Sequence, residues 1–95
     1  MITHIVFFKL KDRSPESIER TAQVLRDMEG KIDELRHLEV GLDVLHSERS
    51  YDIALVTKFD SMDDLQAYQV HPVHKKVIEH MTLVREASVS VDYES

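Results

Sequence analysis

Residues 1–11 centre on an unbroken apolar run, Ile5-Val6-Phe7-Phe8, and close on Lys9-Leu10-Lys11-Asp12. The β-branched and aromatic content predicts a strand. Alternation puts Thr3, Ile5, Phe7 and Lys9 on one face and His4, Val6, Phe8 and Leu10 on the other. Both faces are apolar at the centre, so both call for cover. Ser14-Pro15-Glu16 then reads as a helix start, with serine as N-cap and proline at the first helical position. Ile18, Ala22, Leu25 and Met28 follow at helical spacing, and Gly30 is expected to end the helix in the left-handed conformation. Residues 31–36 add a short turn that tucks Ile32 and Leu35 inward.

Residues 38–44 alternate apolar and polar, which predicts a strand with one buried face. A polar turn at 46–50 leads to a further strand over 51–59, again apolar on both sides through Ile53-Ala54-Leu55-Val56. Strands this close in sequence pair as an antiparallel hairpin. Ser61-Met62-Asp63-Asp64 opens a second helix whose inner face is expected to carry Met62, Leu65 and Tyr68. His71-Pro72 interrupts it, and Val73, Val77, Met81 and Val84 continue at helical spacing. Residues 87–93 end the chain as an alternating strand, with Ala87, Val89, Val91 and Tyr93 on one side and Ser88, Ser90 and Asp92 on the other. The order β-α-β-β-α-β is the ferredoxin-like arrangement, an α+β fold with a four-stranded antiparallel sheet and helices on one face. Residues 1–95 make one domain.

Nothing in so short a chain is left to cover the second face of the sheet. Val6, Phe8 and Leu10 are expected there, as an apolar patch of the kind that marks association. A second copy packed sheet to sheet, closing a barrel about a two-fold axis, is the economical cover. His4, Ser88, Ser90 and Asp92 are expected on that same face, and buried polar groups need hydrogen-bond partners. Apolar walls with a few convergent polar groups describe a small-molecule cavity.

Composition removes several classes of function. The 95 residues hold no cysteine, which excludes disulfides, thiolate metal sites and a thiol nucleophile. Twelve basic against eighteen acidic residues give a net charge of −6, the wrong sign for binding a nucleic-acid backbone. No apolar run is long enough to span a membrane or form a signal core. A cytoplasmic location is the expectation. The acidic residues at 43, 48, 52, 60, 63 and 64 fall in turns and helix starts and read as a solvated surface.

The opening His4-Ile5-Val6-Phe7-Phe8-Lys9-Leu10-Lys11, the strands Leu38-Glu39-Val40-Gly41 and Tyr51-Asp52-Ile53-Ala54-Leu55, the Phe59-Asp60-Ser61 junction and the closing Val91-Asp92-Tyr93 resemble the stress-responsive A/B barrel (Dabb) family. The segment Tyr68-Gln69-Val70-His71-Pro72-Val73-His74 is the most specific part of the likeness. The resemblance implies a ferredoxin-like subunit in a dimeric α+β barrel. One plant branch of the family is a polyketide cyclase that forms olivetolic acid by aldol condensation without a cofactor. Carried over from that branch, His74 is the base, Tyr68 its partner, and His4 and Asp92 belong to the same site. Where the cyclase has a histidine in its third strand, this chain has Ile53.

An imidazole near neutrality can take a carbon-bound or phenolic proton, and orientation by a carboxylate such as Asp92 would raise the basicity of His74. The Tyr68 hydroxyl could donate to a developing enolate oxygen. His71, Phe8 and Ile53 join His4 and Asp92 as candidate ligand contacts. The plain structural reading stands beside this one: a histidine next to proline caps helices, and an inward tyrosine packs. His71, His74, Glu79 and His80 lack the spacing of a metal site, and no residue singles out a haem ligand, so no metal or cofactor is expected. Two functions follow: a homodimer binding a small, partly apolar molecule, with cofactor-free cyclase or lyase chemistry, or a non-enzymatic stress or structural dimer.

Overall fold

The computed structural model describes residues 1–95 as β1 (Ile2–Leu10), α1 (Pro15–Arg26), β2 (His37–Leu42), β3 (Ile53–Phe59), α2 (Met62–Val70), α3 (Pro72–Val84) and β4 (Arg85–Glu94). Capping explains the helix starts. The Ser14 side chain accepts from the Ser17 N–H with Pro15 in the first turn, and Ser61 accepts from the Asp64 N–H. Helix α1 closes at Arg26, four residues before Gly30; the glycine takes φ +78° in the turn beyond, and Met28 and Ile32 are buried around it. Proline at 72 splits the second helical stretch, since Pro lacks the N–H that α2 would need to continue. The His71 ring fills the break: its Nδ1 accepts from the Val73 N–H at 3.1 Å.

The four strands form one antiparallel sheet in the order β2-β3-β1-β4. The pairing of His4 with Thr57 and with Asp92 fixes which residues share a face. His4, Val6, Phe8 and Leu10 stand beside Leu55, Thr57 and Phe59, and these line up with Ser88, Ser90 and Asp92. That is the face the helices cover, where Phe59, Leu25, Met28 and Tyr68 are fully buried. The residues predicted to share a face do share it, but the side is reversed. Phe8 and Leu10 are core, not a bare patch.

The uncovered face carries Ile5, Phe7, Ala54, Val56, Ala87, Val89, Val91 and Tyr93. Phe7 is 43% exposed, Val89 48%, Val91 55% and Tyr93 47%. Large apolar side chains so close together on one sheet face mark a contact surface. Two smaller expectations also change. Met62 is half exposed and does not join Leu65 and Tyr68 inside. Asp52 is only 2% exposed, so it is no part of the solvated surface. Its Oδ2 accepts from the Leu10 N–H at 2.8 Å, and its Oδ1 accepts from Arg13 Nε at 2.9 Å.

Candidate functional site between the helices and the sheet

A cavity of about 190 Å³ opens between β1, β4 and helix α3. Its walls are mainly apolar, with Val6, Phe8, Leu25, Leu55, Val77 and Met81 supplied by both layers. His4 enters from β1, Tyr68 from α2 and His74 from α3. The elements explain this convergence. Alternation turns His4 toward the helices, helical spacing from Leu65 turns Tyr68 inward, and the break at Pro72 starts α3 so that His74 lies over the tyrosine. The Tyr68 and His74 ring centroids are 4.0 Å apart at 30°, and His4 stands edge-on to Tyr68 at 6.3 Å.

The polar atoms differ in how they are held. His4 Nδ1 pairs with the Asp92 carboxylate across the β1–β4 ladder. The carboxylate therefore serves His4 and not His74, contrary to the expectation from sequence. His74 Nδ1 faces the Gln69 carbonyl at 3.4 Å. A donating Nδ1 leaves Nε2 as the acceptor on that ring. Tyr68 is fully buried, and its hydroxyl donates to the Met28 sulfur at 3.9 Å, a weak acceptor. Burial pushes the Tyr68 hydroxyl well above the usual tyrosine range, so it keeps its proton and can donate it in a hydrogen bond.

Burial lowers the His74 pKa from the ordinary 6.5; the Gln69 carbonyl opposes this, and His4 and His71 push it further down. The folded chain thus holds that proton less readily than the unfolded one. Stability carried by neutral His74 is fully present above the unfolded value and is lost as pH falls through the lower folded value. His74→Gln is expected to flatten the loss of stability as pH falls through and below the ordinary histidine value of 6.5, read from urea unfolding. Parallel pH profiles for the two proteins would show that burial of the ring carries no such cost.

Among the other sequence candidates, Phe8 lines the cavity, and Asp92 acts through His4. His71 does not line it: its ring is spent on capping α3. Ile53 does not either. It is buried at the start of β3, beside a separate hollow of about 390 Å³ near Phe7, Arg49 and Tyr51 that no histidine reaches. Ser88, expected on the same face as His4, lines the cavity, but the sequence reading missed Arg85 and Thr82 as cavity residues. Arg85 was hidden by a register break in β4, which alternation alone cannot reveal. No group of three His, Asp or Glu side chains stands close enough to hold a metal ion, and no helix is long and apolar enough to cross a membrane.

The model of the stress responsive A/B barrel domain matches residues 2–95. The chain belongs to the Dabb family. A curated Dabb relative, stress-response A/B barrel domain-containing protein DABB1 of Arabidopsis thaliana, is 28% identical over 97 residues. That alignment takes in 98% of this Dabb chain and 46% of the relative, so the chain spans just under half of the relative's length. A dimeric protein of unknown function and ferredoxin-like fold from Bacteroides fragilis superimposes with TM-score 0.84 at 32% identity, covering 99% of this chain and 95% of that one. The hydroxynitrile lyase of Passiflora edulis shares the Dabb chain's fold, with TM-score 0.83 at 18% identity over 97% of this chain and 90% of the lyase.

Proposed function

We propose that this Dabb chain forms a homodimer through its bare sheet face and binds one small, partly apolar molecule per subunit between helices and sheet, where it carries out cofactor-free proton transfer. The observation that carries this reading is the meeting of His4, Tyr68 and His74, from three separate elements, on one apolar cavity of about 190 Å³. An engineered cavity of about 150 Å³ holds benzene, so a single ring or a short chain fits. The dimer rests on the apolar bare face and on the dimeric state of the Bacteroides fragilis protein.

The two imidazoles divide the work by their surroundings. His74 has no carboxylate beside it and burial disfavours its charged form, so Nε2 is free to take a proton from a carbon next to a carbonyl. The C–H pair passes into the carbonyl, and the charge builds on its oxygen. His4, paired with Asp92, can hold a proton as part of an ion pair and offer Nε2–H to that oxygen. Tyr68 gives up only a thioether contact to join it. Return of the proton from His74 completes an exchange with no net oxidation.

Acetophenone in D2O tests the step. The wild-type chain is expected to accelerate α-proton exchange, followed by NMR, and His74→Ala to lower the rate about a hundredfold, within the range of general base catalysis. Full exchange in the His74→Ala protein removes the assignment. The packing of Tyr68 against Met28, Phe59 and His74 favours a second reading, a binding or structural dimer in which these rings only join helix to sheet. Under it, wild type gives no exchange, and His74→Ala lowers stability instead.

A further inference from the structure

Strand β4 is irregular at its start. Lys9 pairs with Ala87, but Leu10 pairs with Arg85, so Glu86 is an extra residue in the ladder. This is a β-bulge, and bulges re-aim side chains. Ser88 lies on the helix side, and strict alternation would turn Glu86 that way and Arg85 outward. The bulge exchanges the two. Arg85 comes level with buried Leu10 and lines the cavity beside Met81, Thr82 and Ser88, while Glu86 is exposed.

The guanidinium has no counter-charge there. It donates to Ser88 Oγ at 3.1 Å, and the ion pairs of the chain use Arg13, Arg26, Arg36 and histidines 4, 37 and 46, never Arg85. The residues that line the cavity include no carboxylate. A cation at the C-cap of α3, where Arg85 stands, gains from the helix dipole in any orientation, so that gain does not account for its being turned over an apolar cavity. A guanidinium with open donors matches a carboxylate.

The cavity also has two ends. His4 sits four residues along β1 from Phe8, whose β4 partner is Ser88, a separation of about 13 Å on an extended strand. On the opposite wall His74 and Thr82 are eight residues apart in α3, about 12 Å along a helix. Imidazoles occupy one end and the guanidinium the other, with Val6, Phe8, Val77 and Met81 between them.

We infer that Arg85 is an anion clamp set by the Glu86 bulge, and that the cavity takes monocyclic or short-chain carboxylates whose reacting end lies opposite the acid group. The inference rests on the proposed proton-transfer site and adds the substrate class to it.

Titration of the full chain with 4-acetylbenzoate and with its neutral counterpart 4-acetylbenzamide tests it, using calorimetry for affinity and the His4 and His74 ring protons for location. The acid is expected to bind about tenfold more tightly than the amide, with both shifting the ring protons. Arg85→Met, its fold checked by circular dichroism, is expected to bring acid and amide to equal affinity, and Arg85→Lys to retain part of the preference. Equal binding of acid and amide to wild type overturns the clamp but leaves the site standing. Preference for the acid that survives in Arg85→Met places the cation elsewhere and also overturns it. Failure of both ligands to bind, with unshifted ring protons, overturns the clamp and the proton-transfer site together.

Discussion

Asp52→Ala is expected to lower the free energy of unfolding by about 2 to 3 kcal/mol, the upper part of the range for stranding a buried hydrogen-bonding group. Asp52 is buried at the end of the loop before β3, and its carboxylate holds two things at once. The Leu10 N–H donates to Oδ2 at 2.8 Å, and Arg13 Nε donates to both oxygens, at 2.9 and 3.2 Å. Arg13 also reaches the Ser50 carbonyl at 3.1 Å, and the Asp52 N–H donates to the Phe8 carbonyl at 2.8 Å. The residue thus ties the end of β1, the entry to α1 and the loop before β3 into one junction. Alanine leaves the Leu10 N–H without an acceptor in a place water does not reach. Arg13→Ala should cost less, because the guanidinium is one-third exposed and the backbone donor remains. Urea unfolding measures both. An Asp52→Ala loss below about 1 kcal/mol would mean that the junction is held by something other than this carboxylate.

A single charge on the bare face should abolish the proposed dimer. Val91 lies opposite Ile5 and is 55% exposed within one subunit, so Val91→Asp leaves the subunit's own core untouched. In the proposed sheet-to-sheet pair that position would be buried, and each copy would have to strip water from an unpaired carboxylate, at several kcal/mol apiece. The expected result is association weakened at least a thousandfold with an unchanged circular dichroism spectrum. By sedimentation the wild type should run at about twice the 11.1 kDa chain mass at micromolar concentration, and the variant at the chain mass. A wild-type chain that sediments at 11.1 kDa would leave the bare face without its proposed partner.

Most of the element order was legible because the punctuation is local. Ser14-Pro15 and Ser61 carry their caps in their own side chains, and His71-Pro72 carries its break. Face grouping was legible too, since alternation alone puts His4, Ser88, Ser90 and Asp92 together once β1 and β4 pair. Which side the helices take was not. Ile5 and Phe7 are as apolar as Val6 and Phe8, and the choice is made by where α1 and α3 dock, a long-range matter. The same limit hid Asp52: its main partner Arg13 lies 39 residues away, and an aspartate before a strand looks like any turn acid. In the site, His4, Tyr68 and His74 do meet on one cavity, while Asp92 stands behind His4 and not beside His74, where the chemistry of the ring alone had suggested it. The one-residue bulge at Glu86 left no mark on the pattern, and Arg85 was lost with it.

Strand β1 serves two masters with alternate residues: His4, Val6 and Phe8 floor the cavity, while Ile5 and Phe7 sit amid the bare surface. A frame slip of a single residue would swap the sets, moving an imidazole outward and a phenyl ring into the chamber. Inserting or deleting one residue between Ile2 and Leu10 would therefore forfeit the proposed chemistry and the proposed assembly in the same stroke.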